Sequence, residues 1–271
     1  MKLIRHLTPD GPAYAALQQN GSAFALSGDP YAPTGLQIAA SVPISLGRRL
    51  SPVVPVNIIG IGLNYRGHAR EMNRPLPEFP MIFVKTTNAL HDPYAPIVLP
   101  RSSAASHEVD YEGELAVVIG RAAKNVSREH ALDYVLGYTV ANDVSARDWQ
   151  FKWGNGQFCQ GKGFDTFCPL GPVLVTADEI PNPGQLAVRT WVNGQLRQES
   201  NTSDLIFDVP ALIAFLSASK TLLPGTVILT GTPSGVGAGF QPPRYLQPGD
   251  AVAIEIEGIG TLENPVLAES L

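Results

Sequence analysis

Short apolar runs separated by turn residues dominate this chain of 271 residues and predict a structure made mostly of strands. Strands are predicted over residues 56–62, 81–85, 107–120, 138–143, 190–197, 226–230 and 250–257. Helical segments are predicted over residues 65–72, 128–136 and 208–219. The pattern therefore indicates the α+β class with a mostly β core, and the 26 glycines and 24 prolines agree with many turns.

Three local signals support these elements. Ser127 could cap the second helical segment, and Pro210 fits the first turn of the third. The dipeptide Asn193-Gly194 lies between strand-like flanks and is a strong signal for a β-hairpin.

The character of the chain changes between Pro52 and Pro55. We therefore predict a small β-rich segment over residues 1–52 and a main domain over residues 53–271.

Charge and hydropathy argue against several classes of function. The formal net charge of −5 disfavours nucleic acid or an anionic membrane as the main partner. No apolar run reaches the roughly 18 to 20 residues that span a bilayer, and the amino terminus lacks the apolar stretch of a secretory signal. The cytoplasm is therefore the expected compartment. Cys159 and Cys168 are expected to be free thiols, with a disulfide as the less favoured alternative.

Three acidic residues fall on one face of the strand predicted over 107–120. Side chains alternate along a strand, so Asp110, Glu112 and Glu114 point away from its mainly apolar face. Either solvent at a sheet edge or a bound hard cation such as Mg²⁺, Mn²⁺ or Ca²⁺ would relieve their repulsion. Asp143 favours the cation, because it ends another apolar strand where an acid is a poor choice for packing. Two acids from one strand and this third acid would leave coordination positions open for water and substrate.

Other residues could supply proton transfer and substrate binding. His68 and Glu71 are three residues apart and share a face of a helical turn, so the carboxylate could orient the imidazole; an exposed polar face is the alternative. Thr232 lies in a glycine-rich turn where its hydroxyl and nearby backbone N–H groups could hold a substrate carboxylate. Lys85 ends a strand and could line the same pocket. A phosphate-binding loop at Lys162 is not predicted, because Gly163 replaces the required Ser or Thr.

Five motifs, taken in order, resemble the fumarylacetoacetate hydrolase superfamily. They are Asn64–Glu71, Asp110–Leu115, Asn142–Asp148, Gly161–Thr166 and Leu229–Gly237, and the resemblance extends over about residues 56–266. It implies a mixed β-sandwich roll, a catalytic domain of this type and usually a homodimer. The chain lacks the long amino-terminal domain of fumarylacetoacetases proper and is more similar to the shorter, acylpyruvase-like members.

The resemblance also implies roles for particular residues. Mg²⁺ or Mn²⁺ would be held by Glu112, Glu114 and Asp143, with Asp110 a neighbour rather than a ligand. His68 and Glu71 would activate water from a segment that closes over the substrate. Lys162 would stabilise developing negative charge, a role that suits a compact ammonium group.

The reaction expected from the resemblance is hydrolysis of a C–C bond in an acylpyruvate-like small oxo-acid, through a metal-stabilised enolate. Decarboxylation or tautomerisation of an oxaloacetate-like acid would use the same groups, as would dehydration of a sugar acid. A module that binds a metal or ligand without catalysis is the alternative from another class of protein.

Overall fold

The computed structural model describes residues 1–32, 34–101, 106–153 and 156–270. The strands are Lys2–Thr8 (β1), Gly11–Leu17 (β2), Ala23–Ser27 (β3), Gln37–Ile44 (β4), Arg49–Leu50 (β5), Asn57–Gly62 (β6), Met81–Lys85 (β7), Leu90–His91 (β8), Ile97–Leu99 (β9), Val109–Asp110 (β10), Gly113–Ile119 (β11), Ala123–Lys124 (β12), Val135–Asn142 (β13), Ser145–Ala146 (β14), Cys168–Thr176 (β15), Ala187–Val192 (β16), Gln195–Asn201 (β17), Thr221–Leu222 (β18), Thr226–Leu229 (β19), Ala251–Ile256 (β20) and Gly260–Ala268 (β21). The α-helices are Arg66–Glu71 (α1), Phe158–Lys162 (α2) and Val209–Ser217 (α3).

A large mixed sheet holds the centre of the molecule. Its strands run in the order β4-β3-β2-β1-β15-β13-β11-β19-β6-β7, with β5 paired to β1 and β8 paired to β15. A second sheet, in the order β17-β16-β20-β21-β9, packs over β11, β13 and β15. Every residue of β11 is buried, since this strand has paired neighbours on both sides and the second sheet across one face. The mostly β fold with mixed sheets confirms the predicted class.

The amino-terminal segment joins the large sheet through its first strand. β1 pairs antiparallel with β15, and Lys2 lies opposite Val175 in the register. Leu3 and Ile4 are buried in the same core as the rest of the molecule. The boundary after residue 52 stays a prediction, although the hydrogen bonds of β1 cross it.

Most predicted elements are present with small shifts at their ends. The hairpin is confirmed: Asn193 and Gly194 both have positive φ, 52° and 72°, between β16 and β17. Helix α3 begins after Asp208, whose carboxylate accepts a hydrogen bond from the backbone N–H of Ala211 at 2.9 Å. No helix among the described residues is long and apolar enough to cross a membrane.

Three predictions of local structure were wrong. The segment Arg128–Tyr134 is a 3₁₀ helix without a cap from Ser127, and Val135 already begins β13. The strand predicted over 107–120 is interrupted after Asp110, since the backbone N–H groups of Tyr111 and Glu112 donate to side chains, those of Asp110 and Asn142, and not to a neighbouring strand.

Among the strands that were not predicted, the two longest are β15 and β21. Pro169, Gly171 and Pro172 interrupt the apolar run of β15, and Pro265 interrupts that of β21.

Candidate active site

The three predicted metal ligands meet at the ends of neighbouring strands. Glu114 lies in β11, Glu112 directly precedes this strand, and Asp143 directly follows β13. The register pairs Gly113 with Asn142, which brings the two chain segments side by side. One carboxylate oxygen from each acid lies within 4.8 Å of the others, and all three side chains are buried.

The carboxylates differ in their pKa because their neighbours differ. Burial raises the pKa of Glu114 well above its usual value, and the negative charges of Asp143 and Glu112 raise it further. Burial would also raise the pKa of Glu112, but the cationic groups of Lys162 and Arg147 outweigh this effect and hold it at about 2. The two glutamates therefore differ, and Glu114 favours the protonated form more than Glu112 does.

Lys162 contacts two of the three acids. Its Nζ donates to Glu112 Oε2 at 3.0 Å, to Asp143 Oδ2 at 2.6 Å and to the hydroxyl of Ser145 at 2.7 Å. Burial alone would lower the pKa of Lys162, but the adjacent carboxylates raise it overall. The predicted charged lysine therefore lies in the site, with all three of its N–H groups in use.

Lys85 lies behind the acids and does not line the cavity beside them. Its Nζ donates to Asp143 Oδ1 at 2.5 Å and to the backbone carbonyl of Val144 at 3.1 Å, and its side chain has no exposed surface. The geometry thus gives no support to the predicted contact between Lys85 and a substrate. It shows instead a residue that holds a metal-ligand candidate in place.

A second ion-pair chain fixes Glu112 from the other side. Arg147 Nε donates to Asp110 Oδ2 at 2.9 Å, and its Nη1 lies 2.7 Å from Glu112 Oε1. Asp110 is fully buried and also accepts backbone N–H groups from Gly237 and Ala238, at 2.7 and 3.0 Å. Asp110 therefore stands beside the three acids as a structural neighbour.

The three acids suit a hard divalent cation. All of their donor atoms are carboxylate oxygens, the ligand type that Mg²⁺, Mn²⁺ and Ca²⁺ prefer. Mutual repulsion acts on Glu114, and an ammonium group already bridges Glu112 and Asp143, so this position attracts positive charge. The residues present therefore fit a metal site.

His68 and Glu71 form the predicted pair on helix α1. His68 Nδ1 lies 2.9 Å from Glu71 Oε2, and the imidazole is nearly buried. The helix is short and begins without a side-chain cap at Tyr65. It is held instead by tertiary bonds, since the N–H of Gly67 donates to Asp204 Oδ2 at 2.7 Å.

The glycine-rich loop from Gly231 to Gly239 binds carboxylates of the protein itself. The backbone N–H of Gly231 donates to Glu114 at 2.6 Å, and that of Gly235 donates to Glu71 at 2.8 Å. Together with the bonds to Asp110, these contacts occupy four N–H groups of the loop. The prediction that nearby N–H groups hold a substrate carboxylate is wrong for these four, because protein acids already occupy them.

The hydroxyl of Thr232 is set by a glutamine from the second sheet. Gln198, fully buried in β17, donates from Nε2 to Thr232 Oγ1 at 2.8 Å and to the carbonyl of Pro233 at 2.9 Å. Its Oε1 accepts the N–H of Gly113 at 3.0 Å. Gln198 therefore connects the strand of metal-ligand candidates to the glycine-rich loop.

A cavity of about 730 Å³ lies beside the acidic cluster, and Glu112 is the member of that cluster that lines it. Polar side chains form one part of its lining, namely His68, Arg74, Glu112, Arg147, Gln150, Lys162 and Thr232. Apolar side chains form most of the rest, with Phe83 and Phe158 among them. The cavity therefore combines a charged floor with apolar walls, the usual composition of a small-molecule site.

Two residues of the site, Arg147 and Gln198, are not among those predicted from the sequence. Arg147 belongs to the motif Asn142–Asp148, and its cationic side chain so close to the acids was a usable signal. Gln198 carried no such signal, since its contacts depend on how the second sheet packs against β11.

Fold, acidic cluster and histidine–glutamate pair together define a known class of protein. The family described as fumarylacetoacetate (FAA) hydrolase C-terminal matches residues 57–267. The chain belongs to the fumarylacetoacetate hydrolase superfamily.

Particular relatives share most of this chain. Mitochondrial oxaloacetate tautomerase fahd2 of Xenopus laevis is 51% identical over 219 residues, which cover 80% of this chain and 68% of that protein. The structure of a 2-hydroxyhepta-2,4-diene-1,7-dioate isomerase from Mycobacterium marinum is 41% identical and covers 100% of both chains with a TM-score of 0.85. That of a 5-carboxymethyl-2-hydroxymuconate delta-isomerase from Mycobacterium smegmatis is 43% identical, covers 99% of this chain and 100% of its own, and has a TM-score of 0.86.

Proposed function

We propose that this protein is a divalent-metal-dependent enzyme that moves a proton next to the oxo group of a small 2-oxo acid, as a keto–enol tautomerase or isomerase. The observation that carries the proposal is the convergence of Glu112, Glu114 and Asp143 beside a cavity that Glu112, Lys162 and His68 line. The relatives named for tautomerase and isomerase activity support this type of reaction over hydrolysis.

The acid–base group in this proposal is His68. The carboxylate of Glu71 accepts a hydrogen bond from Nδ1, so the imidazole carries its proton there and Nε2 is free to act as a base. Nε2 removes a proton from the carbon beside the oxo group, and then returns it to the oxygen or to another carbon.

Charge at the floor of the cavity supports the same step. A divalent cation held by the three acids would polarise the oxo group and stabilise negative charge on its oxygen. Lys162 lies against two of those acids and lines the cavity, so its ammonium group adds positive charge beside the reacting atoms. Arg147 and Lys85 keep Glu112 and Asp143 in position from behind.

C–C bond hydrolysis is the second candidate. The His68–Glu71 pair favours it, because the same base could take a proton from water instead of from carbon. Water would then attack the more distant carbonyl of an acylpyruvate, and the departing carbon would leave as an enolate. Decarboxylation and sugar-acid dehydration would use the same groups, so the experiment includes substrates for both reactions.

The test is a substrate panel assayed with Mg²⁺ or Mn²⁺ and with a chelator. Enol oxaloacetate is followed by its absorbance, and acylpyruvate, oxaloacetate and sugar-acid products are separated and quantified. We expect metal-dependent ketonisation that Glu114→Gln abolishes. Glu129→Gln, at an exposed residue outside the cavity, is the matched control and should behave as the wild type.

Two results would overturn the proposal. Turnover that survives the chelator would exclude the metal role, and tight metal binding without turnover of any substrate would favour a binding module. The cytoplasmic compartment and the homodimer stay predictions, and the oxaloacetate tautomerase of Xenopus laevis is mitochondrial by name.

A further inference from the structure

Helix α1 carries His68 but lacks the side-chain cap that usually begins a helix. It has six residues, fewer than two turns, and isolated helices of this length are not stable in water. The residue before the helix, Tyr65, is buried and makes no capping hydrogen bond, and the described first turn contains no acidic residue. The stability of α1 must therefore come from contacts with other parts of the chain.

Asp204 supplies the missing cap from a distant segment. It ends a 3₁₀ helix after strand β17, and its Oδ2 accepts the backbone N–H of Gly67 at 2.7 Å, across 137 positions of sequence. Gly67 is the second residue of α1, and a capping side chain normally accepts from the second or third N–H of its helix. The negative charge also suits the positive end of the helix dipole. Asp204 therefore has the geometry and the charge of an N-terminal cap, although it belongs to another element.

The backbone around Asp204 fixes its carboxylate relative to α1. Residues 204–207 run beside the residues that lead into the helix. Tyr65 forms an antiparallel bridge with Leu205, and the N–H of Ile206 donates to the carbonyl of Asn64 at 2.7 Å. The start of the helix and the carboxylate that caps it therefore belong to one hydrogen-bonded unit.

Gly67 leaves room for this contact. A Cβ at this position would lie 3.1 Å from Asp204 Oδ2 and 3.5 Å from Ser234 Oγ, so a side chain would press on the capping oxygen. The other end of the helix is held by the N–H of Gly235, which donates to Glu71 at 2.8 Å. Two contacts with distant segments therefore hold α1, one at each end.

We propose, building on the function proposed above, that Asp204 is a positioning residue: it caps α1 from outside the helix and thereby fixes the imidazole of His68 at the cavity. Asp204 is not among the described residues that line the cavity, so it acts through the helix and not on the substrate. Loss of the cap should let α1 fray from its first turn, which contains His68. The fraction of molecules that hold His68 in place then falls, and turnover falls with it.

Two substitutions in the metal-loaded protein test this role. Asp204→Ala removes the cap, whereas Asp204→Asn keeps an amide oxygen that can accept the N–H of Gly67, and asparagine caps helices about as well as aspartate. For Asp204→Ala we expect amide hydrogen exchange over residues 66–72 to become about 2- to 30-fold faster, the value of one cap. We expect kcat to fall by about threefold or more, since small displacements of a catalytic group are costly. Metal affinity should stay unchanged, and Asp204→Asn should restore both exchange and kcat.

Asp208→Ala is the matched control. Asp208 caps helix α3 by accepting the N–H of Ala211 at 2.9 Å, so this variant loses a cap of the same kind from a helix that does not carry His68. It should leave kcat and the exchange of α1 unchanged. The comparison separates loss of the cap on α1 from general destabilisation of the fold.

Two results would overturn the assignment. One is equal exchange over residues 66–72 in the wild type and Asp204→Ala, and the other is a loss of kcat that Asp204→Asn does not recover. Asp204→Ser, with a shorter polar side chain, is the milder variant if Asp204→Ala does not fold, and the same results decide. If exchange depends on Asp204 while the wild type turns over no member of the substrate panel, the cap stands and the proposed function fails.

Discussion

The contact between Glu71 and His68 gives a sharp test of the proposed base. The carboxylate of Glu71 accepts two N–H groups at once, from His68 Nδ1 at 2.9 Å and from the backbone of Gly235 at 2.8 Å. In Glu71→Gln one acceptor oxygen becomes an amide NH₂, which cannot accept a hydrogen bond. One of the two bonds is therefore lost, and the negative charge beside the imidazole is lost in either arrangement.

The expected loss follows from the value of such a bond. A hydrogen bond to a charged group contributes about 1.5 to 3 kcal/mol, and each 1.36 kcal/mol is a factor of ten in rate. We expect kcat to fall about 10- to 150-fold for Glu71→Gln if the contact orients His68 in the transition state. Metal affinity should stay unchanged, since Glu71 is not one of the three clustered acids.

The assay is metal-dependent ketonisation of enol oxaloacetate, with metal affinity measured separately by calorimetry. Glu78→Gln is the control, because Glu78 is an exposed acid shortly after helix α1 and does not line the cavity. A kcat for Glu71→Gln within twofold of the wild type would refute the role of the pair. Loss of metal binding in the same variant would refute the separation between the pair and the acids.

Three further results are expected. Gly239→Ala should lower kcat as Glu71→Gln does, because the added Cβ would lie 2.6 Å from Glu71 Oε1, and the same assay measures this. Gln198→Met should raise KM about fivefold to tenfold with little change in kcat or metal affinity, because Thr232 loses the bond that orients its hydroxyl. Mg²⁺ binding should release protons and tighten as the pH rises, because the cation displaces the proton that the raised pKa of Glu114 favours. Calorimetry in two buffers of different ionisation enthalpy measures the number of protons released. Since a raised carboxyl pKa stabilises the metal-free fold only at lower pH, the gain in Tm on adding Mg²⁺ should also grow with pH.

The acidic cluster could be predicted because it depends on local rules. Residues two apart on a strand share a face, which groups Glu112 with Glu114. Asp143 is a further candidate because it is an acid at the end of an apolar strand. The structure adds the register, in which β11 and β13 pair so that Gly113 faces Asn142. That pairing is long-range, and the sequence motifs of the family were needed to choose between metal site and solvated edge.

Contacts made through the second sheet could not be predicted in the same way. Gln198 reaches Gly113 across 85 positions of sequence, and the direction of its side chain depends on how β17 lies over β11. Lys85 was placed correctly at the end of a strand, but its burial under Asp143 depends on the pairing of β7 with β6 at the sheet edge. Element ends and periodicity contain no information on either packing arrangement.

The charges of the buried network imply an order of binding. The connected acids are Asp110, Glu112, Glu114 and Asp143, and the connected cations are Lys85, Lys162 and Arg147. Counted as fully ionised, these four acids and three cations leave a net charge of −1, and the raised pKa of Glu114 favours a proton there in the metal-free protein. A divalent cation that replaces this proton changes the net charge to +1. An unbalanced buried charge is costly, so the loaded site favours an anion. Under the proposed function, we therefore expect the cation to bind first and to favour binding of the oxo-acid carboxylate.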